Sequence, residues 1–169
     1  MADAIAIEFQ APSGETLTFE WDEARLAELD PDPAADPVWR LRGKLDWDQV
    51  TRVRVLSARL GDGRLLAIAA LRPTGAEGHG EELVAGLLGR PGEFEQLDEA
   101  LFSTEYDPDS LPRRVGLELY GPGAGLAIRV AADVEATARD ANGQIERLSA
   151  ALAIRGEGGA GVLDMLERR

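Results

Sequence analysis

The sequence predicts an all-β fold, an antiparallel barrel or strongly curved half-barrel with at most one or two short helices. Three observations carry this. Apolar and polar residues alternate with period two over much of the chain, turn-forming residues separate the alternating runs, and helical spacing is confined to short stretches. The spacing fits roughly nine to eleven short strands in a single domain spanning residues 1–169.

In the first hairpin, Ile5, Ile7 and Phe9 alternate with Ala4, Ala6 and Glu8, and Leu17, Phe19 and Trp21 with Thr16, Thr18 and Glu20. Pro12-Ser13-Gly14 marks the turn between them. A short helix is expected over Asp22–Leu29, with Asp22 as its N-cap and Leu26 and Leu29 on one face. Asp30-Pro31-Asp32-Pro33 stops it and opens a Pro-rich loop over 30–37. Trp39, Leu41, Gly43, Leu45 and Trp47 then alternate with Arg40, Arg42, Lys44, Asp46 and Asp48, a strand with one dry and one wet face.

Val50–Leu60 and Arg64–Leu71 flank Gly61-Asp62-Gly63, a hairpin turn. The apolar phase shifts near Val55 and Leu56, which predicts a β-bulge or a strand buried on both faces. Glu81–Leu88 fits helix or strand, as does the spacing of Phe94, Leu97 and Leu101. Further strands are expected at Val115–Tyr120, Leu126–Val134, Ile145–Arg155 and Gly161–Leu166, with Asn142-Gly143 a strong hairpin signal.

Composition removes several functions. Acidic residues number 31 against 18 basic, a formal net charge of −13, so the chain repels phosphate backbones and nucleic acid is not expected as a partner. With no cysteine and one histidine, thiolate and two-histidine metal sites are excluded. His79 lies in Gly75-Ala76-Glu77-Gly78-His79-Gly80 and reads as a solvated loop residue. No apolar run reaches membrane-span length and Met1-Ala2-Asp3-Ala4 has no basic leader character, so a soluble cytoplasmic protein is expected.

The glycine-rich runs Gly121–Gly125 and Gly156–Gly161 lack the register and the following helix of a nucleotide loop, and no cofactor is expected. Asp30, Asp32 and Asp36, and Asp107 and Asp109, read as solvated turns rather than a calcium loop. No metal is expected.

Trp21, Trp39 and Trp47 share the apolar phase of their strands with Phe9 and Phe19. They form either a packed core or the lining of a cavity. In a closed barrel of about eight strands the inward face is filled by side chains or holds one small ligand. Catalytic candidates are Glu105, Tyr106 and Asp107, where a strand runs into the Pro108-Asp109-Ser110 turn. A carboxyl group in an apolar mouth has a raised pKa and can donate a proton. Asp46-Trp47-Asp48 sets a second carboxylate pair on one strand face.

The Trp47 strand, the Gly61-Asp62-Gly63 hairpin, the segment Phe102–Asp107, the run Pro112–Tyr120 and the closing Gly159–Asp164 resemble lipocalin-like proteins related to carotenoid 1,2-hydratase and tocopherol cyclase. The likeness covers about Trp39 to Leu166, and is to the second of that family's two lipocalin-like halves. It implies a lipocalin-like barrel and work on isoprenoids with acidic and aromatic cavity residues, matched here by Trp47, Glu105, Tyr106 and Asp107.

Three functional readings follow. The first is binding of a small hydrophobic, isoprenoid- or polyketide-like molecule in a barrel cavity. The second is an acid–base hydratase, cyclase or isomerase acting on a terpenoid. The third is a ligand-free module that forms a homodimer through exposed strand edges.

Overall fold

The computed structural model describes residues 5–11, 14–77, 81–121, 126–156 and 158–168. His79, Pro12-Ser13, most of the Gly121–Gly125 run and Glu157 lie outside the described residues. Those described form twelve antiparallel strands and one short helix, in two sheets. No helix among them is long and apolar enough to cross a membrane.

The smaller sheet pairs β1 (Ile5–Gln10), β2 (Thr16–Trp21) and β3 (Trp39–Arg42). Period-two alternation sends Ile5, Ile7, Phe9, Leu17, Phe19 and Trp21 to one buried face. On the other face, Glu20 holds Arg40 and Arg42 in ion pairs of 2.9 Å each. Helix α1 (Glu23–Ala27) follows β2, with the Asp22 carboxylate accepting the Arg25 N–H as N-cap and Leu26 buried.

β3 is shorter than the alternation suggests. Gly43 adopts φ +99°, and a Cβ there would sit 3.0 Å from the Thr16 carbonyl oxygen, so the chain leaves the sheet. Trp47 and Asp48 lie in a turn, in which the Asp46 carboxylate accepts the Asp48 N–H at 3.0 Å. The expected carboxylate pair on a strand face is therefore absent: Asp46 caps this turn, and Asp48 pairs with Arg168 at 2.9 Å.

The larger sheet runs β7-β6-β5-β4-β12-β11-β10-β9-β8. Its strands are β4 (Val50–Leu60), β5 (Leu65–Pro73), β6 (Leu83–Arg90), β7 (Glu93–Gln96), β8 (Glu99–Tyr106), β9 (Pro112–Tyr120), β10 (Leu126–Asn142), β11 (Ile145–Ile154) and β12 (Gly159–Arg168). Its two edge strands, β7 and β8, are consecutive in the chain. At their junction Leu97 N–H donates to Gly86 O on β6, and Asp98 N–H donates to Tyr120 O on β9, each at 2.9 Å. The curled sheet thus meets itself along one bent segment. This is the expected all-β, lipocalin-like architecture, with one short helix. Of the stretches ambiguous by spacing, 83–88 lies in β6, and 94–96 and 99–101 lie in β7 and β8 on either side of the 97–98 junction.

The inside of the curl is a core of aliphatic side chains, among them Leu56, Ile68, Leu117, Ala150 and Leu163, with Phe102. A second core lies between the three-stranded sheet and the outer faces of β4 and β5, where Val53, Val55, Ala67 and Ala69 meet Phe19 and Trp21. This explains the phase shift at Val55 and Leu56: β4 is buried on both faces, and its one register irregularity falls earlier, between Val50 and Arg52.

Candidate functional site at the mouth of the barrel

At one end of the curl the start of β4, the end of β8, the far part of β10, the start of β11 and the end of β12 come together. Arg52, Tyr106, Leu148, Met165 and Glu167 turn inward there around a cavity of about 380 Å³. A bulge adds one more group. In β10 the register shifts between Val134 and Ala136, which inverts the side-chain phase. Val130 and Val134 pack against the interior before it, and Arg139 stands opposite Leu148 after it, at the cavity rim.

The rim charges pair off. Arg52 donates from Nε to Glu167 and from Nη1 to the Tyr106 hydroxyl at 3.0 Å, with its guanidinium carbon 5.7 Å from the Tyr106 ring centre. Arg139 donates to Glu146 Oε1 at 2.8 Å. Leu148 and Met165, both buried, face each other in register and supply the apolar floor.

One layer deeper, Met165 stands opposite Arg54. The Arg54 and Glu82 side chains are each only 4% exposed. Arg54 binds Glu82 bidentately at 3.1 and 2.8 Å, and donates to Thr104 Oγ1 at 2.8 Å and to the Phe102 carbonyl at 3.0 Å. Its guanidinium carbon lies 4.0 Å from the Phe102 ring centre. Four acceptor contacts and a ring face offset the cost of taking this charge from water. The cluster ties β4, the start of β6 and the open edge of β8 where no strand ladder joins β6 to β8.

The three catalytic candidates separate. Tyr106 lines the mouth. Glu105, its neighbour on a strand, points the other way and is exposed. The hydrogen-bonded Arg113 guanidinium holds its carboxyl below the usual range, helped by Arg114 at 3.4 Å. The expectation of a raised pKa there is corrected: strand alternation sets Glu105 outside, among arginines, where it stays ionised. Asp107 holds the turn, its Oδ1 accepting the N–H groups of Asp109 and Leu111 at 2.9 Å each. Ser110 in that turn has φ +64° and borders the cavity.

The aromatic set is brought together, but elsewhere. Phe9, Phe19 and Trp21 belong to the core between the sheets, with Trp39 and Trp47 packed against it. Phe9 and Phe19 meet edge to face at 5.8 Å, and Phe19 lies 6.0 Å from Trp39. Of the two readings of these rings, packed core or cavity lining, the core is the one that forms, and the reading that has them line the inside of the curl as ligand-binding residues is corrected. They sit on its outer wall, because β1–β3 form a separate sheet laid over β4 and β5 rather than part of the barrel.

Trp21 Nε1 donates to Ser57 Oγ at 2.9 Å and Trp39 Nε1 to Asp164 Oδ2 at 2.7 Å, while Ser149 donates to Asp164 Oδ1. Asp164, 2% exposed, is held by these neutral donors alone among the described residues.

Sequence reasoning missed Arg52, Arg54, Glu82, Arg139, Glu167 and Asp164. The signal for three of them was present. Arg52 and Arg54 occupy the phase that Leu56 and Ala58 continue inward, so two arginines interrupt a buried face. Asp164 likewise stands alone among apolar residues in Gly161–Leu166.

Fold and site together define an antiparallel β-sheet curled into a half-barrel, with a flanking three-stranded sheet and a polar-rimmed mouth. Neither the protein-family models nor the curated proteins compared with this chain give a match.

Proposed function

We propose that the protein binds a small, largely hydrophobic molecule with a polar end, in the mouth of the barrel. The observation that carries this is the 380 Å³ cavity with Leu148 and Met165 as its floor and Tyr106, Arg52 and Glu167 at its rim. An apolar floor with a few converging polar groups is the usual composition of a ligand pocket, and this volume is at the small end of the roughly 300–1,000 Å³ range.

The size favours a short isoprenoid or a compact polyketide-like ring over a long polyene. The rim arginines are already matched by Glu146 and Glu167, which favours an uncharged polar end. The Tyr106 hydroxyl accepts from Arg52 and keeps its own proton for a ligand oxygen. The resemblance to lipocalin-like isoprenoid proteins supports the same ligand class.

Titration with an uncharged, polarity-sensitive naphthalene dye tests this. The reading expects saturable, blue-shifted emission at one site, and binding about tenfold weaker in Tyr106→Ala. Dye emission that never saturates, or equal binding by Tyr106→Ala, contradicts it.

A further inference from the structure

A second cavity, of about 220 Å³, lies between the loop after α1 and the barrel wall. Leu29, Pro37, Val38 and Val162 give it apolar sides, and Ser57 and Asp164 stand at its inner end. The Asp164 carboxylate is 2% exposed and has only an indole N–H and a serine hydroxyl as partners. A buried carboxylate without a countercharge is costly. Ser57, 1% exposed, lines the same space, and its hydroxyl oxygen accepts from Trp21 with one acceptor position left over.

We propose that this cavity takes the primary ammonium group of a small aliphatic amine. An ammonium supplies the missing countercharge to Asp164 and has three N–H donors, enough to reach both Asp164 and Ser57. The aliphatic stem lies against Leu29, Val38 and Val162. Glu28, Asp30, Asp32 and Asp36 border the entrance; of the described cations, Arg25 lines it and Arg59 reaches the Leu29 carbonyl beside it at 3.3 Å, so the acidic groups outnumber them and the field draws cations in. Arg25 reaches across the entrance to the Asp36 carbonyl at 3.3 Å, so it is the group an arriving ammonium displaces or repels.

Calorimetric titration of the full chain with n-butylammonium chloride, at constant ionic strength, tests the proposal. Tryptophan emission is a second readout, because Trp39 and Trp21 bond to the two recognition groups. The expected result is one saturable millimolar site that n-butanol does not occupy. Affinity should fall at least about tenfold in Asp164→Asn and rise a few-fold in Arg25→Gln, which removes the competing cation. Val162→Phe, which keeps the carboxylate and fills the space, should abolish binding even if Asp164→Asn fails to fold. Absence of a saturable site, equal occupancy by n-butanol, or undiminished binding in Val162→Phe overturns it. None of these outcomes bears on the barrel mouth, whose dye titration is read separately.

Discussion

The Trp39 indole N–H donates to Asp164 Oδ2 at 2.7 Å, and with the Trp21–Ser57 bond it joins the three-stranded sheet to the wall of the curled sheet. Trp39 lies on β3 and Asp164 on β12, 125 residues apart, so the contact exists only when both sheets are assembled. Trp39→Phe keeps the ring and deletes the donor. Hydrogen bonds to charged groups contribute about 1.5–3 kcal/mol, and urea denaturation should show a loss of that size.

The Arg54–Glu82 pair gives a second prediction. Arg54→Met leaves the Glu82 carboxylate buried without its partner, and should cost about 3–5 kcal/mol. The double variant Arg54→Met with Glu82→Leu removes both charges and should recover most of that loss. Chemical denaturation of both variants measures the difference, and a double variant no better than the single would show that the pair itself holds the β6–β8 gap.

Gly89 lets β7 fold back on β6. A Cβ there would lie 2.0 Å from the Glu93 carbonyl oxygen and 2.8 Å from Phe94 Cα, both backbone atoms. Because backbone cannot give way as a side-chain end can, Gly89→Ala should cost at least about 1–3 kcal/mol. Hydrogen exchange should show the loss concentrated in β6 and β7.

Glu105 should titrate below the ordinary glutamate range, since the hydrogen-bonded Arg113 and the charge of Arg114 favour its ionised form. A pKa depressed by folding adds stability that is present above the unfolded value and lost as pH falls through the folded one. Carboxyl-carbon nuclear magnetic resonance should place the Glu105 midpoint low in the native chain and higher in Arg113→Ala. Asp133, held down first by its bond to Arg155, should respond in the same way to Arg155→Ala.

The strands that alternate cleanly were legible in the sequence. Ile5, Ile7 and Phe9 give β1, and the Gly61-Asp62-Gly63 turn joins β4 and β5, with Gly63 at φ +90°. Two buried faces on β4 were also legible from the phase of Val55 and Leu56. Which partner each apolar face would meet was not. Period two says that Trp21 and Trp39 are on a dry face, but the same pattern serves a barrel interior and an intersheet core.

The mouth was half legible. Tyr106 stood out beside its turn, but Glu105 and Tyr106 are successive strand residues and must face opposite ways. Arg139 depends on the bulge between Val134 and Ala136, where no glycine or proline signals the shift. Glu167 reaches Arg52 only through the pairing of β12 with β4, a contact of 115 residues' separation that local pattern does not encode.

Met165 offers the most direct test of ligand binding at the barrel mouth. The chain has two methionines, and the other is Met1, so a methyl-carbon-13 methionine spectrum separates the cavity floor from the terminus. Titration with a short isoprenoid alcohol such as geraniol should move the Met165 methyl signal along a saturable path. A Met165 signal unmoved across compact isoprenoid and polyketide-like compounds would contradict binding at the mouth.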